Sequence, residues 1–150
     1  MDTSNQKLNF LAIGAASVAG MAIGFLWYGM LFTNQWMAGN NITVDESTNP
    51  VKMFKNGVQV DSGSGSEMVW NFIAIVAAAF LMNWLLRKMN VQTFMEGAIA
   101  GLVVGAIVTL NIFTSNLFAM TPHSLTLLDG SYCLVLFAAI GAIVGGWQKK

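Results

Sequence analysis

Charge is missing from most of this chain, and where it is missing decides what the chain can fold into. No Asp, Glu, Lys or Arg falls between Lys7 and Asp45, and the apolar part of that stretch runs from about residue 8 to 32. Glu67 and Arg87 bracket a second stretch of 19 residues, 68–86. A third follows Glu96 and runs to Met120, and a fourth lies between Asp129 and Lys149, ending at Trp147. At 1.5 Å rise per residue the second stretch spans roughly 28 Å as a helix, close to the ~30 Å of a bilayer's hydrocarbon core. In lipid, runs this long close their backbone hydrogen bonds only as helices, and the sequence lacks barrel-type alternation. Only 9% of the residues are charged and 55% are hydrophobic, against about a quarter charged in a soluble domain. The soluble class is excluded.

The fold class is therefore an all-α membrane protein, a single domain over residues 1–150. Its four transmembrane helices are expected at about 8–32, 68–86, 94–120 and 127–147, with an outer loop at about 33–66. A cleaved signal peptide is the alternative for the first span. Its apolar stretch continues through Trp27 and Tyr28, longer than the roughly 7–15 residues of a signal core, so a retained helix is the better reading. Helix starts agree with the division. Thr3 with Gln6, Ser64 with Glu67 and Thr93 with Glu96 have capping-box spacing, and Thr126 with Asp129 is a close variant.

Lysine and arginine orient the bundle. Lys7, Arg87, Lys88, Lys149 and Lys150 fall on the side of both termini, and only Lys52 and Lys55 on the other. The positive-inside rule then places both termini in the cytoplasm and the chain in the cytoplasmic (inner) membrane as a multi-pass protein. Within the outer loop, residues 51–55 and 58–60 flank Asn56-Gly57, the signal of a small β-hairpin with a type I′ turn. Gly63, Ser64 and Gly65 form a flexible joint before the second helix.

Several chemistries are excluded by what is scarce. One cysteine, Cys133, allows no internal disulfide or CxxC pair, and one histidine, His123, allows no histidine cluster. No metal site, cofactor or catalytic constellation is expected, and a net charge of zero offers nucleic acid no basic tract. Cys133 reads as a small packing residue, His123 as a solvated turn residue, and Glu96 as a first-turn carboxylate.

Two patterns remain. The first is a set of small residues four apart: Ala16, Gly20 and Gly24 in the first span, Gly97, Gly101 and Gly105 in the third, Gly141 and Gly145 in the fourth. Such ladders let helices approach closely, within one subunit or between subunits. The second is a level. With both termini inside, Trp27, Tyr28, Trp36, Trp70, Asn71, Asn116, Asp129 and Tyr132 all sit near the outer ends of their helices. An interfacial aromatic belt with ordinary caps accounts for them. An outward-facing ligand or docking cluster of Trp27, Tyr28, Trp36, Asn71, Asn116, Asp129 and Tyr132 is the alternative. Asp129 itself is expected to be a helix cap.

The segments WYGMLFTNQW (27–36), TFMEGAIAG (93–101), SNLF (115–118) and LLDGSYCLV (127–135), in this order, resemble the bacterial integral membrane family catalogued as domain of unknown function 1761. That family shows a WYSPLLFG-like end to helix one, TxxEG opening helix three, TNYLF closing it and IDxxYW opening helix four. Here Gly29 and Met30 stand where Ser-Pro is usual, Leu117 replaces a tyrosine and Cys133 an aromatic. The resemblance implies four membrane helices and assigns no activity. The expected role is assembly: a homo-oligomer joined through glycine-ladder faces, or an accessory subunit beside other membrane subunits, in contact with membrane lipid. A small-molecule or ion transporter using the outer polar-aromatic cluster is the alternative, although no span centre carries the charge a proton relay usually needs.

Overall fold

A computed structural model of the protein describes residues 8–61 and 65–148. Helix α1 (Phe10–Leu26) continues through one π-helical turn (Trp27–Leu31) into a short helix, α2 (Thr33–Gly39). Strands β1 (Ile42–Asp45), β2 (Lys52–Lys55) and β3 (Val58–Val60) follow, then α3 (Ser66–Lys88), α4 (Phe94–Phe118) and α5 (His123–Gly146). Four segments are long and apolar enough to cross a bilayer: Phe10–Leu31, α3, α4 and α5. These are the helices of a multi-pass integral membrane protein. We call the end carrying α2 and the strands the sheet end, and the end carrying the α3–α4 connection the turn end.

Caps set two of the starts. Asn9 Oδ1 accepts the Ala12 amide of α1 at 3.2 Å, and Asn9 Nδ2 donates to the Trp147 carbonyl, tying the start of α1 to the finish of α5. At α4 half of the expected box forms, and the Glu96 carboxylate reaches one residue beyond the N-cap, Thr93. Thr93 Oγ1 accepts the Glu96 amide at 3.2 Å, and Glu96 Oε2 accepts the Gln92 amide at 3.2 Å. The boxes read at Thr3–Gln6 and Ser64–Glu67 involve residues outside those described, as do Gly63 and Ser64 of the joint.

The fourth box is a correction. Pro122 is the N-cap of α5, and its carbonyl accepts the Leu125 and Thr126 amides at 3.0 and 3.2 Å. Proline suits a helix start because its missing N–H would be orphaned there anyway. The helix therefore begins four residues earlier than expected, at His123 rather than 127. His123 is its exposed first residue, and Thr126 and Asp129 lie inside it.

Helix α5 runs through the middle of the bundle, touching α1, α3 and α4, while α4 packs almost entirely on α5. The core joins Ile13 and Ala16 of α1, Ile75, Ala79 and Leu86 of α3, and Leu136, Ile140 and Val144 of α5. Cys133 is a buried free thiol, in keeping with a packing role. Lipid is as apolar as these side chains, so close packing rather than escape from water holds such helices together.

The glycine ladders supply that closeness. A Cβ on Gly97 would fall on the Gly141 carbonyl, one on Gly101 on the Phe137 carbonyl, and one on Gly105 within 3.0 Å of the Cys133 carbonyl. From the other side, a Cβ on Gly145 would lie 2.8 Å from the Gly97 Cα. Backbone meets backbone along the whole α4–α5 seam. Gly20 faces Ile75 and Leu136, and Gly24 faces the Tyr132 hydroxyl. All three ladders are covered by helices of the same chain.

Both long-helix connections at the α3 and α4 exits are Schellman turns. Asn90 (φ 55) and Met120 (φ 53) take the left-handed position, with Val91 N–H bonding the Leu86 carbonyl and Thr121 N–H the Asn116 carbonyl, each at 3.0 Å. Asn adopts that conformation readily, whereas Met adopts it at a cost. Replacing the exposed Met120 by glycine is expected to stabilise the protein by about 1 kcal/mol, read as a raised thermal midpoint in detergent. An unchanged or lowered midpoint contradicts it.

The extramembrane segment holds more structure than the expected hairpin. Lys55 pairs with Val58 across Asn56 (φ 52) and Gly57 (φ 78), both in the left-handed region that a type I′ turn requires. Strand β1 adds itself to the other edge of β2, with Ile42 opposite Lys55 and Asp45 opposite Lys52, completing an antiparallel sheet in the order β1-β2-β3. A third strand supplies the support that an isolated hairpin lacks. Beyond β1, Ser47 donates its hydroxyl and its amide to Asp45 Oδ1 at 2.6 and 3.0 Å, holding that carboxyl below the usual carboxylate range.

Candidate functional site at the sheet end

The π-helical turn closing α1 builds the site. Phe32 N–H reaches back to the Trp27 carbonyl at 2.9 Å, and the Thr33 hydroxyl donates to the Tyr28 carbonyl at 2.8 Å. Widening the helix by one residue lets two successive side chains, Trp27 and Tyr28, both reach α5. Such turns recur at functional sites. Trp27 Nε1 donates to the Leu128 carbonyl at 3.3 Å, and the Tyr28 hydroxyl donates to Asp129 Oδ1 at 2.9 Å.

Asp129 is the seventh residue of α5, which puts it roughly 9 Å along the helix from its start. It is not the cap that its spacing implied, because the helix starts earlier. Its carboxylate has one hydrogen bond, from Tyr28, and no described cation pairs with it. Aromatic rings pack on Tyr28 and on its neighbour Tyr132. Tyr28 and Tyr132 meet edge to face with centroids 5.0 Å apart, Trp36 of α2 meets Tyr28 at 6.2 Å, and Trp27 lies 6.4 Å from Tyr132. All of these side chains are half-buried. Helix α2 is held across this end by the approach of Gly39 to Leu125, where a Cβ would meet the leucine at 3.1 Å.

Five of the seven side chains read from the sequence as one cluster, Trp27, Tyr28, Trp36, Asp129 and Tyr132, thus come together. Two do not. Asn116 donates to Thr126 Oγ1 at 2.9 Å, and Asn71 meets the Met21 sulfur at 3.7 Å. Trp70 is exposed on the outside of α3. A shared level in the membrane is not a shared helix face. Phe32, tilted against Trp27 with ring centroids 4.9 Å apart, also belongs to the cluster, and nothing in its sequence spacing sets it apart. Among the described residues no three His, Cys, Asp or Glu side chains converge as a metal site would need.

The family model described as "Protein of unknown function (DUF1761)" matches residues 11–145 of this chain, from the first span to the last. The chain belongs to the DUF1761 family. The match takes in the whole of the candidate cluster, from Trp27 to Tyr132. No curated protein and no solved structure matches this DUF1761 chain.

Proposed function

We propose that this protein recognises a small organic cation, an amine or quaternary ammonium, at the sheet end of its bundle. One observation carries the reading: Asp129, inside a span, has no described cation partner, and the tyrosine that holds it, Tyr28, packs edge to face on Tyr132 and Trp36. A carboxylate within a span is kept there at a cost and marks ligand or ion handling. Aromatic faces attract cations through their quadrupoles, by about 0.5–2 kcal/mol each depending on desolvation. Tyr28 would steady the carboxylate while its second oxygen meets the ligand. This is the transporter-type reading of the cluster, narrowed to a charge and a chemical class.

The test is a titration of the detergent-purified protein with tetramethylammonium and with a neutral isostere of the same shape, followed by tryptophan fluorescence. Saturable quenching by the cation alone is expected. Equal response to the neutral compound, or none to either, would sink the proposal. The positive-inside count supports an outward-facing site. After Cys133→Ser, a cysteine at the exposed Gln59 should react with an impermeant maleimide on intact spheroplasts, and one at the exposed Gln92 should not. The opposite labelling would turn the site inward.

Self-association is the second reading, and Asn111 favours it. Its side chain is exposed on the outer face of α4, well inside the span, with no hydrogen-bond partner among the described residues. An amide facing lipid gains from an interhelical partner, each such bond contributing roughly 0.6–2 kcal/mol. A second copy presenting its own Asn111 supplies one. Asn111→Leu is expected to shift the detergent-solubilised mass from dimer to monomer; a monomeric wild-type protein in both mild detergent and nanodiscs would refute the assembly.

A further inference from the structure

The turn end carries a different chemistry. Among the described residues, the buried side-chain polar atoms without a hydrogen-bond partner are Asn83 Nδ2 and Oδ1, Arg87 Nε and Gln148 Nε2. All belong to this end of the bundle. Arg87 lies in the last turn of α3, and Asn83 is one helical turn before it on the same face. Gln148 follows the end of α5, next to the Trp147 carbonyl that Asn9 of α1 holds. Leu86 of α3 and Val144 of α5, beside these groups in sequence, belong to one core cluster, and α3 packs on α5. Asn83 is fully buried.

Buried polar groups are nearly always paired, and a group left over points to something that pairs it. Three of these four atoms are nitrogens that donate, and one belongs to a guanidinium. Among the described residues Glu96, an acid at this end, is engaged with the Gln92 amide and makes no ion pair with Arg87. What satisfies several donors and one fixed positive charge is an anion rich in acceptors. Phosphate oxygens accept from guanidinium and amide nitrogens alike, and basic positions between helix ends lie at the depth of lipid headgroups.

We propose that Asn83, Arg87 and Gln148 hold a phosphate group at the turn end, carried either by an anionic phospholipid headgroup or by a free phosphate. The site is separate from the aromatic cluster, and neither depends on the other. The protein, purified in a maltoside detergent free of phosphate, is titrated with phosphatidylglycerol, with inorganic phosphate and with diacylglycerol, reading thermal midpoint and retained ligand by native mass spectrometry. Stabilisation by a phosphate-bearing ligand is expected, with affinity about fivefold weaker in Arg87→Gln, the worth of one cation near an anionic lipid, and weakened likewise in Asn83→Leu. Should Asn83→Leu fail to fold, Arg87→Gln alone carries the comparison. A response to phosphatidylglycerol and not to inorganic phosphate assigns the site to lipid, and the converse to a soluble anion; either supports the proposal. An equal response to diacylglycerol, no response to either phosphate source, or an undiminished response in Arg87→Gln overturns it.

Discussion

Gly101→Leu is expected to leave little folded protein. Even a single Cβ at this position falls on the Phe137 carbonyl, 2.8 Å from its carbon. A backbone cannot rotate aside as a side chain can, so α4 must separate from α5. Overpacking of a tight contact costs about 1–3 kcal/mol where neighbours yield. Here the whole seam from Gly97 to Gly145 opens with it, and the loss should exceed that range. Size-exclusion profile and thermal unfolding in detergent report it. Gly14→Ala in α1 is the matched control, because a Cβ there meets nothing within 4 Å. It should leave stability unchanged or raise it by up to about 1 kcal/mol. A Gly101→Leu protein as stable as the wild type would show that the α4–α5 seam is not what closes the bundle.

The spans were legible in the sequence because lipid imposes one dominant rule: no charge, and no unpaired backbone. That rule places all four helices without any knowledge of their partners. The β2–β3 hairpin was legible for an equally local reason, since Asn56-Gly57 suits few conformations other than the turn it makes. Strand β1 and helix α2 were not. Four residues, Ile-Thr-Val-Asp, gain their strand geometry from β2, and the seven residues of α2 are too few to show a periodicity. Which helix each glycine ladder faces was equally out of reach, because a ladder names a close approach and not a partner.

The site was half legible. Aromatic and carboxylate residues at one membrane level follow from topology, but two local events decide which of them meet. The π-helical turn re-aims Trp27 and Tyr28 together, and no simple spacing announces it. Pro122 starts α5 early and carries Asp129 from the first turn into the second. Pro122 was the available signal, and a capping-type spacing at Thr126 and Asp129 masked it. The unpartnered amides of Asn83 and Asn111 show their significance only once their surroundings are known: one is enclosed by the core, the other faces outward.

The largest functional effect is expected at Asp129. Asparagine keeps the shape and an oxygen that accepts the Tyr28 hydroxyl, so Asp129→Asn should change the stability of the fold by no more than about 1 kcal/mol. What it removes is the charge. A hydrogen bond to an ionised group in a half-buried site is worth about 2 kcal/mol, or roughly thirtyfold in Kd. Tetramethylammonium cannot donate a hydrogen bond, so a primary amine such as ethylammonium should lose more than it does. The decisive measurement is calorimetric titration of ethylammonium into folded wild-type and Asp129→Asn protein, with thermal midpoints recorded on the same samples. Saturable binding to the wild type, weakened about thirtyfold in a variant of near-native stability, is the expected result. Equal affinity in the two proteins, or no binding to a folded wild type, would contradict cation recognition at the sheet end.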